Sequence, residues 1–178
     1  LFHRAVHHVN LAHGAAFDVV RALVPSASIG CIHNRQPCLP ATGTAADAAA
    51  AGRLDAWWNG AFPDAQVLGA YPDSIASLME PCQKPGDLAR ICRRADWFGL
   101  NHYSPIYARA DKDAPLGFAW SDIPKEVPRS GVGWQIAPAA FRDTLLTAHQ
   151  RYGLPIYVME NGAGKVEQLD AAGRVDDQ

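Results

Sequence analysis

The stretch YVMENGAG, residues Tyr157–Gly164, decides how this chain is read. An apolar run ends on Glu160, and Asn161-Gly162 follow at once. An Asn-Gly pair marks a turn, but a turn does not need the acid in front of it. Strand packing does not need it either, because an unpaired buried carboxylate is costly. The stretch reads as a place where a fold presents a charge. The plain alternative is a glutamate in a surface loop, so its surroundings must decide.

Working outward, LPIYVM is one of three expected strands; the others lie in ASIGCIHN and DWFGLNHY. All three have apolar runs without clean alternation, as buried parallel strands do. Helical patterns separate them. Apolar side chains at Phe2, Val6, Val9, Ala16, Val20 and Leu23 follow the helical period until Pro25 stops it. Residues 44–62 are Ala-rich and predict a helix to about Asn59. Shorter helices are expected at Asp73–Met79 and in DLARICRRA, and an amphipathic one over Ala137–Tyr152 with Gly153 as its C-cap. QPCLPATG and residues 105–130 read as loops, the latter long enough to be functional or mobile. No hairpin signal lies between the strands, so the order implies parallel βα units.

In such an architecture ligands gather at the carboxyl ends of the strands. Those ends carry His33-Asn34, then Asn101-His102-Tyr103, then Glu160-Asn161. These polar groups suit a sugar or another polyol, although Tyr103 could equally be a satisfied core tyrosine.

Composition narrows the classes. The 178 residues are 48% hydrophobic, enough for a real core and one domain of ordinary size. A net charge of -2 gives no nucleic-acid footprint. No 18-residue apolar run marks a membrane span. Cys31, Cys38, Cys82 and Cys92 form no CxxC pattern; reduced thiols and a cytoplasmic location are expected. His3 and His7, spaced i,i+4, invite a metal reading, but HRAVH lacks the glutamate of a metalloprotease helix. Structural or surface roles are expected for His3, His7, His8 and His13, with no metal and no cofactor.

Several segments together resemble glycoside hydrolase family 1, the β-glucosidase family. YVMENGAG is similar to that family's nucleophile motif on the seventh barrel strand, and DWFGLNHYSP to its sixth-strand motif, usually written Asn-Tyr-Tyr. GWQIAP (Gly133–Pro138), LGAYP (Leu68–Pro72) and HHVNLAHGAA (His7–Ala16) resemble further segments in family order. GKVEQLDAAGRVDDQ resembles the loop beyond the nucleophile. The resemblance covers essentially the whole chain.

The resemblance implies a segment of a (β/α)8 TIM barrel, with residues 1–178 as a C-terminal-half piece of the catalytic barrel. It implies a retaining β-glucosidase with Glu160 as nucleophile and Tyr103 hydrogen-bonded to it. Asn101 falls near the sugar subsite and Trp134 near the pocket mouth. His102 departs from the usual tyrosine; on a strand it points away from Asn101 and Tyr103, so the exchange should alter packing outside the pocket.

Retaining glycosidases need a second carboxyl group about 5–5.5 Å from the first. The family carries it in an Asn-Glu-Pro motif, which is not present here; the other glutamates are Glu80, Glu126 and Glu167. The acid/base glutamate, the first four strands and the eighth strand are therefore expected outside these residues. The expected partner is a β-glycoside, small or oligosaccharide. A segment so placed should be inactive alone, and a non-catalytic carbohydrate-binding or interaction module is the rival reading.

Overall fold

The computed structural model describes residues 2–175; Leu1 and the last three residues of GKVEQLDAAGRVDDQ lie outside the described residues. Helix α1 spans Phe2–Leu23 and buries Val6, His7, Asn10, Gly14 and Phe17 along one stripe. Gly14 is where α1 meets the chain near Arg90. A Cβ there would meet the Arg90 carbonyl oxygen at 2.0 Å, so only glycine allows the approach. Strand β1 (Gly30–Asn34) is followed by β2 (Cys38–Pro40) and helix α2 (Ala45–Asp55). The Thr44 side chain caps α2 by accepting from the Asp47 amide. Next come α3 (Asp73–Met79), α4 (Asp87–Ile91), β3 (Trp97–Asn101), β4 (Ile106–Ala110) and β5 (Phe118–Ser121). Helix α5 (Pro138–Tyr152) and β6 (Ile156–Glu160) complete the order, with Gly153 at φ 64° closing α5 as expected.

The three expected strands are β1, β3 and β6, and they form one parallel sheet in that order. Phe98 and Leu100 of β3 pack with Ala148 and Tyr152 of α5. This packing covers one face of β3.

The expected loops differ. QPCLPATG contains β2, and residues 105–130 contain β4 and β5. Strands β2 and β4 pair in parallel, and β4 and β5 form an antiparallel hairpin. A hairpin therefore does lie between the parallel strands in sequence, but it belongs to a second sheet. These short strands gain their stability from α2: Ala108 and Phe118 pack on Ala50, Ala51 and Leu54. The Ala-rich helix also stops earlier than Asn59, at Asp55, and continues as a π-helical turn over Ala56–Gly60. Likewise α4 ends at Ile91 because Cys92 turns extended and the Arg93 amide donates to the Gln66 carbonyl.

His7 is fully buried beneath α1. Its Nδ1 lies 2.8 Å from the Tyr71 hydroxyl and its Nε2 3.1 Å from Asp87 Oδ2. Asn10 donates to the same Tyr71 oxygen at 3.2 Å, so the phenol proton is free to go to His7 Nδ1. Among the described residues no cluster of three or more His, Cys, Asp or Glu could hold a metal, and no helix is long and apolar enough to cross a membrane.

The bond from His7, then that from the Lys84 amide, hold the Asp87 carboxyl below its ordinary value. A depressed folded-state value stabilises the fold above the ordinary carboxylate range and is lost as pH falls through the folded value. Asp87→Asn should therefore unfold at lower urea near neutral pH. Its midpoint should also fall less than the native protein's between about pH 5 and about pH 2.5. Parallel acid dependence in the two proteins would remove Asp87 from this role.

Candidate active site

The parallel sheet aligns its carboxyl ends. Asn34 pairs with Asn101, and Asn101 pairs with Glu160. The second pairing depends on an irregularity. Phe98, Gly99 and Leu100 pair with Ile156, Tyr157 and Val158, but Asn101 pairs with Glu160 rather than Met159. One extra residue on β6 is a bulge. Regular alternation would put Met159 beside Asn101 and turn Glu160 to the other face. The bulge turns the carboxylate to the face shared by Asn101 and Tyr103.

Tyr103 then reaches it. Its hydroxyl donates to Glu160 Oε2 at 2.7 Å. That bond, then burial, hold the phenol above its ordinary ionisation range, so it stays a donor at neutral pH. Trp134 stands against the Tyr103 ring, with centroids 4.9 Å apart and planes tilted by 49°. The indole is 43% exposed and offers an aromatic surface beside the carboxylate. Asn101 is partly buried, and its Oδ1 has no hydrogen-bond partner among the described residues.

Backbone bonds fix the carboxylate's position. The His102 amide donates to the Glu160 carbonyl at 3.0 Å, and Asn161 Nδ2 donates to the His102 carbonyl at 2.8 Å. The His102 ring faces away from Tyr103, as the strand period predicts. It stacks on Phe141 of α5 at 4.9 Å and 14°. Its Nδ1 lies 3.0 Å from the Arg35 carbonyl. Burial keeps this imidazole below its ordinary value. His33 also turns outward, stacking on Phe98, and burial, then Arg35 and His13, push it down to about 3.

Glu160, Tyr103 and Trp134 thus form one contact series, with Asn101 next to Glu160 in register. Three supports were not visible in the sequence. Asn161 reads there only as a turn residue. Gln135 holds the Trp134 segment, with its amide donating to Ser104 Oγ and its Oε1 accepting from Tyr107. The bulge at Met159 has no local signal. The quoted motifs contained Asn161 and Gln135, but nothing in them said which residues these would bond.

Comparison with known proteins follows the same outline. The family model for glycosyl hydrolase family 1 matches residues 1–178. The chain is 35% identical over 173 residues to a β-glucosidase of Agrobacterium sp., covering 89% of this chain and 36% of that protein. A solved β-glucosidase from Exiguobacterium marinum superposes with a TM-score of 0.85 at 30% identity, covering 99% of this chain and 41% of the other. The virulence factor SghA from Agrobacterium tumefaciens gives 0.86 at 34% identity, covering 98% and 40%, and it has also been solved with its substrate analogue salicin. The chain thus spans roughly two fifths of the length of these relatives. Its parallel strands with helical crossovers are part of a (β/α)8 barrel. With a family model matched from end to end and the same fold in these β-glucosidases, the chain belongs to glycosyl hydrolase family 1.

Proposed function

We propose that these residues supply the nucleophile side of a retaining β-glucosidase site. The observation that carries the reading is the 2.7 Å bond from Tyr103 to Glu160 at the carboxyl ends of the parallel strands. Glu160 attacks the anomeric carbon and forms a glycosyl-enzyme ester; a second carboxyl group protonates the leaving oxygen and then activates water. That second group comes from outside these 178 residues, in the barrel half preceding α1. The barrel is completed there and by an eighth strand. Tyr103 is the positioning residue. Its proton is directed at Oε2, which leaves the other carboxylate oxygen for the sugar. Asn101, with an unpartnered Oδ1, accepts from a sugar hydroxyl, and Trp134 covers an apolar face of the substrate. The substrate is a β-glucoside, and the names of the relatives support that class. Four free thiols fit a cytoplasmic setting.

Incubating the full-length protein with a 2-fluoro-glucoside should trap a covalent sugar on the peptide containing Glu160. Glu160→Ala should abolish both the label and nearly all turnover, whereas a label on another peptide overturns the assignment. Tyr103→Phe keeps the nucleophile but removes its orienting bond. It should lower kcat roughly 10–100-fold, with a smaller change in KM. A third check needs no turnover. Glu160→Gln removes the negative charge beside Tyr103, so one tyrosine should ionise at lower pH in a spectroscopic titration. An unchanged titration would show that the phenol is not bonded to Glu160 in solution.

A further inference from the structure

Arg35 is a buried cation with no acid to match it. The residue is 6% exposed, and its Nη1 donates only to neutral acceptors, the Asn59 carbonyl at 2.8 Å and the Tyr152 hydroxyl at 3.2 Å. Nε is buried without a partner. Nη2 has no partner either among the described residues, but it is not shielded as Nε is. A buried charge left unpaired is costly.

The side chain borders a cavity of about 530 Å³ between the π-helical turn Ala56–Gly60 and the second half of α5. Its walls come from the two crossovers that flank β3, away from the open edges of the sheet at β1 and β6. None of Glu160, Tyr103, Asn101 and Trp134 borders it. Three further charged residues do: Asp55, Asp64 and Arg151. Arg151 and Tyr152 engage both oxygens of Asp64, so that pair is closed. Asp55 is exposed, and its Oδ1 accepts from Asn59 Nδ2 at 2.7 Å. No cation pairs with it among the described residues.

Arg35 and Asp55 are therefore the two unmatched charges of the cavity. Both bond Asn59, so they stand within the reach of one residue, yet they form no ion pair with each other. A plain anion would answer Arg35 but meet the charge of Asp55, and a plain cation the reverse. A molecule that carries both charges close together answers each in turn.

We propose that this cavity binds a free α-amino acid as its zwitterion. The carboxylate accepts from Arg35 Nη2, and the ammonium group donates to Asp55. The side chain lies toward Thr147 and Gln150 at the rim, which suits a neutral polar one. The cavity falls in the size range of small-molecule sites. This binding does not rest on the proposed function, because it uses none of the residues around Glu160.

L-Glutamine is the probe, titrated into the full-length protein by calorimetry in a buffer free of carboxylates and primary amines, and soaked into its crystals. The expected result is saturable binding at about 0.1–10 mM, with the amino acid located between Arg35 and Asp55. Glutaramic acid, which lacks the ammonium group, and 4-aminobutanamide, which lacks the carboxylate, should each bind at least about tenfold more weakly. Arg35→Met removes the guanidinium but keeps the backbone bonds of residue 35 to Asn101 and His102. Asp55→Asn removes the charge but keeps an acceptor for Asn59 Nδ2. Each variant should weaken glutamine at least about tenfold, and if Arg35→Met fails to fold, Asp55→Asn still reads the site. The proposal is overturned by absent binding, by glutamine found only beside Glu160, by equal affinity for either charge-deleted analogue, or by native affinity in either folded variant. Trapping at Glu160 is a separate measurement, so failure here leaves the glycosidase reading standing.

Discussion

The pairing of β3 with a neighbour on each side is the constraint from which the rest follows. As the middle strand, it sets the register of β1 and of β6. Because all three run parallel, their carboxyl ends fall on one side, and each return path must be a crossover. The pairing continues past the strand ends. The Arg35 amide donates to the Asn101 carbonyl, and the His102 amide donates to the Glu160 carbonyl. Phe98 and Leu100 bury the outer face of β3 against α5. The strand that carries Asn101, and leads to Tyr103, is thus fixed from three directions.

On that base, a single extra residue decides where the Glu160 carboxylate points. The bulge on β6 interrupts the ladder after Val158 and brings Glu160 opposite Asn101. An interrupted ladder forfeits regular pairing for at least one residue. The amide of Asn161 offsets part of this by bonding the His102 carbonyl. The irregularity therefore stands beside the group it aims, and that group meets a phenol already in place.

The second sheet forms a support for the aromatic side of the site. Alanines on α2 let β4 approach closely, and Ala50 and Ala108 are fully buried at that contact. Arg53 donates to the carbonyls of Leu116 and Gly117, fastening the hairpin turn to α2. Asp47 accepts from the Ala110 amide at the end of β4. Tyr107 of β4 then bonds Gln135, next to Trp134, which leans on Tyr103. The segment between β3 and α5 is thus a built connection from the helix layer to the pocket mouth.

The sequence by itself determined the parallel architecture. Its three apolar strand runs, its helical periods and the Gly153 cap are local signals, and each names an element without reference to distant residues. It also marked Glu160, Tyr103 and Asn101, because polar groups at strand ends depart from the pattern around them, and it marked Trp134 through the resemblance of GWQIAP to a family segment. Tertiary structure alone decided which way these groups point. The bulge after Val158, the bond from Asn161 to His102 and the link from Tyr107 to Gln135 each join segments distant in sequence. Strands β2, β4 and β5 pack on the alanine face of α2, a contact distant in sequence that their own residues do not announce. A period reports what one segment prefers, whereas register and aim are settled only when two segments meet.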